Sequence, residues 1–129
     1  MSVMKRKSGP GAGVLMELLP NSLAKQIPAL YSTENIEIED KVIVAKFFNP
    51  CGGQTWYIAE YDPKERLAFG YCDLGPGFDA EWGYVSLEEL ESLSFNLRGQ
   101  VVQGGYLGIE RDINWKPTKF SEIKKPNWA

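Results

Sequence analysis

Between residues 42 and 85 the apolar positions come in runs separated by turn formers, which is the pattern of neighbouring strands in a sheet. Val42-Ile43-Val44-Ala45-Lys46-Phe47-Phe48 is β-branched and aromatic with a single charge, which predicts a strand buried largely on both faces. Asn49-Pro50-Cys51-Gly52-Gly53 supplies turn chemistry, and Thr55-Trp56-Tyr57-Ile58-Ala59-Glu60-Tyr61 follows as a second strand. Asp62-Pro63-Lys64-Glu65 has Asp first and Pro second, as a type I turn favours, and the chain returns through Arg66-Leu67-Ala68-Phe69-Gly70-Tyr71-Cys72. These three strands predict an antiparallel meander. After the breaker-rich Leu74-Gly75-Pro76-Gly77-Phe78, a short strand at Trp82-Gly83-Tyr84-Val85 ends at Ser86.

Helical signals are short. Ser86-Leu87-Glu88-Glu89 matches a capping box and predicts a helix from Leu87 to about Leu93 with Leu87 and Leu90 inward. Ser22 is a candidate N-cap for a helix through Leu23, Ile27 and Leu30, weakened at its end by Pro28. Tyr31-Ser32-Thr33-Glu34-Asn35 reads as a loop. Val101-Val102 and Tyr106 to Ile113 are later strand material, and Thr118 to Ile123 suits one final helical turn. The expected architecture is a single α+β domain over residues 14–129, an antiparallel sheet with short helices packed on one side. Residues 1–13, rich in turn formers and charge, read as a flexible N-terminal tail.

Composition then removes chemistries. The chain of 129 residues has no histidine, so a Ser-His-Asp or Cys-His pair and any zinc site needing imidazole are excluded. Two cysteines, Cys51 and Cys72, make no disulfide framework and no Cys-rich metal site, and two free thiols in a reducing cytoplasm is the expectation. Glu17 breaks the apolar run Val14-Leu15-Met16 after three residues, too early for a signal peptide or membrane span. No cofactor is expected. Charge is uneven along the chain: 15 acids against six bases lie between Glu34 and Asp112, while the segments before and after each carry an excess of three positive charges. An acidic body between basic ends bears on partners rather than on fold.

Several blocks resemble a known family. Leu18-Leu19-Pro20, Ile27-Pro28, Leu30-Tyr31-Ser32-Thr33-Glu34-Asn35, Thr55-Trp56-Tyr57, Glu60-Tyr61-Asp62-Pro63, Phe69-Gly70-Tyr71, Gly83-Tyr84-Val85-Ser86-Leu87-Glu88-Glu89-Leu90 and Glu110-Arg111-Asp112 with Pro117 are similar to the bacterial domain of unknown function 2958. The similarity runs from about Leu18 to about Ile123. The resemblance implies an accessory protein of plasmids or integrated conjugative elements, in a family some of whose members are loosely labelled single-stranded DNA-binding. It implies no established active site.

Three constellations are candidates for function. Carboxylates at Glu60, Asp62, Asp73, Asp79, Glu81, Glu110 and Asp112 could converge on Mg²⁺ or form an acid/base pair, with Glu60 and Asp62 on one face of a regular strand. Such spacing is common in any acidic domain, and Asp62 already has a turn role. Aromatics between Phe47 and Tyr84 could stack single-stranded bases, although the acidic body opposes phosphate binding. Strict alternation puts Tyr57, Ala59 and Tyr61 opposite Trp56 and Ile58, so both faces carry rings. The third use of the same surface is against a protein, with charge steering the encounter and rings as anchors. The expected function is therefore a non-enzymatic interaction protein of a mobile element engaging a protein partner, such as a host DNA-binding or defence protein. Single-stranded nucleic-acid binding is second and a carboxylate-dependent hydrolase third. The residues singled out for binding are Trp56, Tyr57, Glu60, Trp82, Glu110, Arg111 and Asp112, with no catalytic or metal residue assigned.

Overall fold

The computed structural model describes residues 17–105 and 107–123, so the expected tail over residues 1–13 lies outside the described residues. Helix α1 is a single turn, Asn21–Ala24, and a 3₁₀ turn at Ile38–Asp40 follows. The strands begin with β1 (Val42–Ile43), β2 (Ala45–Phe48), β3 (Thr55–Asp62), β4 (Leu67–Asp73) and β5 (Glu81–Ser86). Helix α2 (Leu87–Ser92) separates them from β6 (Ser94–Phe95), β7 (Leu107–Gly108), β8 (Glu110–Arg111) and β9 (Thr118–Lys119), and a 3₁₀ turn covers Phe120–Glu122. The central sheet has the order β5-β4-β3-β2-β8, antiparallel throughout. The fold is α+β and dominated by this sheet, as its strand and turn signals predict.

One face of the sheet carries the main core. Leu18, Leu19, Phe47, Trp56, Ile58, Tyr61 and Ala68 pack there under Leu87 and Leu90 of α2, with Leu23 and Ala24 of α1 against them. Ser86 Oγ accepts from the Glu89 N–H at 3.1 Å, which satisfies one orphan donor of α2 as the capping sequence predicts. The opposite face carries a smaller core of Ile43, Tyr57, Ala59 and Phe120, with Tyr71, Trp82, Trp115 and Ile123 at its margin.

At the C-terminal end, the turn expected over Thr118 to Ile123 is confined to Phe120–Glu122, because Thr118 and Lys119 pair with β1. Three expectations for the first half of the chain also change. The Val42–Phe48 run is two strands, because β1 pairs with β9 while β2 pairs with β3, and the Val44 N–H between them donates to the Ile58 carbonyl at 2.9 Å. The first helix is capped by Pro20 rather than Ser22 and ends after one turn; further turns lead to Pro28, whose carbonyl accepts from Tyr61 N–H at 2.9 Å. The strict alternation of β3 also fails. Ile58 pairs with Gly70 and Glu60 with Phe69, so Ala59 is an extra residue, a β-bulge. Tyr61 therefore joins Trp56 and Ile58 in the main core, whereas Glu60 falls on the face of Tyr57 and Ala59.

Beside the bulge, Gly70 has no room for a side chain: a Cβ there would lie 2.0 Å from the Tyr57 carbonyl oxygen. The β3–β4 connection closes through Asp62, whose Oδ1 accepts from Lys64 N–H at 3.0 Å, and through Arg66 at φ 54°. Arg66 Nη2 meets Glu91 Oε2 at 2.9 Å, and the same oxygen accepts from Leu18 N–H, which ties the start of the described chain to α2. Among the described residues no helix is long and apolar enough to cross a membrane.

Candidate functional site

The bulge delivers Glu60 into the middle of a polar network that the sheet and the 31–41 segment build together. Glu60, Thr33 and Lys41 are each less than a tenth exposed, and burial on that scale requires polar partners. Glu60 Oε1 accepts the backbone N–H of Tyr31 at 2.7 Å, and Oε2 accepts the N–H of Thr33 at 3.1 Å and its hydroxyl. Lys41 Nζ donates to the Thr33 carbonyl and, at 2.9 Å, to the Thr33 Oγ1. The Thr33 hydroxyl thus stands between ammonium and carboxylate, accepting from one and donating to the other. Tyr31 takes φ 70°, a left-handed conformation costly for a tyrosine, and its bond to Glu60 compensates.

Above this network lies an open pocket of about 360 Å³ lined by Tyr31, Glu34, Lys41, Glu60, Phe69 and Tyr84. Its walls are rings. Tyr31 and Tyr84 are 6.2 Å apart between centroids, Phe69 lies 5.1 Å from Tyr84, and Phe69 stacks on Trp82 at 5.5 Å. Tyr31 and Tyr84 are both more than half exposed, so neither ring is spent on the core. The Tyr84 hydroxyl titrates above the ordinary tyrosine value, first through local desolvation, then through Tyr31 and the charges of Glu60 and Glu34. Further along the same segment Glu37, Glu39 and Asp40 are exposed acids. Chemically this is a shallow aromatic recess in which two carboxylates, Glu34 and Glu60, outnumber one ammonium, Lys41, a balance suited to a cation.

Residues 18–123 match the family model described as protein of unknown function (DUF2958). The chain belongs to this family. No curated protein and no solved structure matches it. The DUF2958 region contains both halves of the Glu60 network and every residue lining the pocket.

Within this DUF2958 domain the seven residues singled out from sequence are spread over several environments. Trp56 is buried in the main core and presents no ring to solvent. Tyr57 is buried on the other face, between Tyr71 and Trp115, and burial, then Asp73 and Tyr71, push its hydroxyl up. Trp82 is half-buried against Phe120 and Phe69. Glu60 lines the ring-walled pocket, whereas Glu110, Arg111 and Asp112 line a separate recess of about 420 Å³ with Lys46, Phe48, Ile113 and Asn114. In that recess Lys46 Nζ lies over the Trp115 ring at 5.4 Å and the Tyr57 ring at 5.8 Å. Asp112 Oδ1 caps a turn by accepting from Asn114 N–H at 3.0 Å, and Arg111 Nη1 donates to the carbonyls of Glu17 and Leu18. Glu60 and Glu110 therefore do not meet. Among the described residues no group of three or more Cys, Asp or Glu is arranged to hold a metal ion.

Sequence reasoning missed Tyr31, Thr33, Glu34 and Lys41, since a polar stretch between elements reads as solvated loop. The available signal was that the Leu30–Asn35 and Glu60–Pro63 blocks both take part in the family resemblance.

Proposed function

We propose that this DUF2958 domain is a binding module that engages a basic segment of a partner protein at the Tyr31–Tyr84 pocket. The observation that carries the reading is one pocket lined by three rings, Tyr31, Phe69 and Tyr84, together with Glu34 and the hydrogen-bonded Glu60, whose two charges outnumber that of Lys41 beside them. A lysine or arginine entering there gains cation–π contact from the ring faces and charge complementarity from the carboxylates. The acid excess of the body raises the encounter rate with cationic partners and disfavours phosphate. In the setting that the family resemblance implies, an accessory protein of a mobile element, the partner is a host DNA-binding or defence protein approached through its basic surface.

The test is a fluorescence titration with two probes at low salt, a lysine-rich peptide and a labelled single-stranded oligonucleotide. Saturable peptide binding that weakens in Tyr31→Ala and Tyr84→Ala, at unchanged net charge, supports the reading. Peptide binding indifferent to both rings overturns it, and so does saturable oligonucleotide binding that depends on them.

A further inference from the structure

The two edges of the central sheet are unequal. At one edge β8 contributes only Glu110 and Arg111, a length too short to template another strand. At the other, β5 runs for six residues and pairs with β4 in six consecutive registers without a shift. Among the described residues no strand pairs with its outer side. Proteins usually blunt such an edge with lysine, proline or a bulge, and Glu81-Trp82-Gly83-Tyr84-Val85-Ser86 has none of these. In the middle of the strand Gly83 leaves open space where a Cβ would stand, so a neighbouring backbone meets no side chain there.

The side chains of β5 give that edge a direction. Tyr84 pairs with Phe69 and Trp82 with Tyr71, which puts both rings on the pocket's face of the sheet. A peptide strand laid beside β5 would send every second side chain to this face, next to Tyr84 and within reach of Tyr31 and Glu34. Asp79 and Glu81 add exposed carboxylates at the start of the strand.

We propose that β5 takes an extended, lysine- or arginine-bearing peptide of the partner as a sixth strand of the sheet, with one cationic side chain seated in the Tyr31–Tyr84 pocket. This rests on the pocket reading above and adds to it the binding mode: main-chain hydrogen bonds to the β5 edge supply affinity, and the pocket supplies the choice of a cation. The occupant is a basic peptide rather than a second copy because a second copy brings the same acid excess to the contact.

The experiment compares two capped peptides of alternating lysine and valine, both long enough to span the six residues of β5, one of them N-methylated at alternate backbone amides. Charges and side chains are equal, so only strand pairing distinguishes them. The expected result is binding of the plain peptide, weakening on the order of tenfold on N-methylation, and slowed hydrogen exchange at alternate amides between Glu81 and Ser86. Equal binding of both peptides, with loss in Tyr84→Ala, overturns the edge-strand mode and leaves the pocket reading intact. Binding of neither peptide overturns both. Concentration-dependent protection of the β5 amides in the protein alone, with a dimer in sedimentation, assigns the edge to a second copy and also overturns the proposal.

Discussion

Thr33 and Glu60 are joined twice, through the backbone N–H and the hydroxyl of the threonine, across 27 positions of sequence. These two hydrogen bonds, with that of the Tyr31 N–H beside them, fix the Tyr31 side of the pocket to the sheet. A loop that would otherwise sample many conformations is held by this carboxylate together with the Lys41 ammonium. Thr33→Val keeps the shape and removes the hydroxyl, leaving Lys41 Nζ and Glu60 Oε2 each one partner short in a buried site. The expected loss is about 1–3 kcal/mol, seen in denaturant melts as a lower midpoint. Thr33→Ser, which restores the hydroxyl, should recover most of it.

Removing a pocket ring should have the opposite profile. Tyr84 is 54% exposed and its ring contacts are with Tyr31 and Phe69 only among the described residues, so Tyr84→Ala should cost under about 1 kcal/mol of stability. Thermal unfolding checks this, and a large loss would mean the ring serves the fold rather than the surface.

Gly70→Ala is expected to be far more damaging than its size suggests. The new methyl would meet the Tyr57 carbonyl oxygen at 2.0 Å, a backbone atom held by the sheet, so β3 and β4 must separate next to the bulge. A loss of roughly 1–3 kcal/mol or more is expected. Gly83→Ala, with open space at the same position one strand over, serves as the control.

Cys72 gives a pH prediction. Burial, and secondarily Glu81, push its thiol up from 9.0 to about 11. Because the folded value lies above the unfolded one, the stabilisation is present below pH 9 and is lost as pH rises toward 11. Tyr57, Tyr71 and Tyr84, also raised, add a loss of the same sign at higher pH. Melts across this range should show falling stability, less steep between pH 9 and 11 in Cys72→Ala. In the native protein Cys72 should react with alkylating reagents more slowly than a free cysteine at neutral pH, since thiolate is the nucleophile.

The parts of the fold legible in sequence are those set by local chemistry. The turn at Asp62, the cap at Ser86 and the apolar runs of β3 and β4 each announce themselves within a few residues, and the meander follows from their order. What depends on distant partners was not legible. Val44 is as β-branched as Val42 and Ile43 before it, and only the separate partners of β1 and β2 split the run there. Of the candidate site, Glu60 was legible as a carboxylate on a strand but not as a buried one, because strict alternation carries no sign of an extra residue at Ala59. Trp56 and Tyr57 were legible as strand rings, yet their burial depends on what the helices and Phe120 cover.

Ala59 also makes the register of β3 a constraint in its own right. Before it, odd-numbered positions such as Tyr57 face the pocket side; after it, Glu60 does, and Tyr61 points the other way. Were Ala59 instead paired with Phe69 in a regular ladder, a carboxylate and a ring would change places, sending the charge of Glu60 among leucines and leaving Tyr31 and Thr33 nothing to hold. The pocket and the core therefore share one device, a single unpaired residue that lets the same strand hand a carboxylate to one face and a ring to the other.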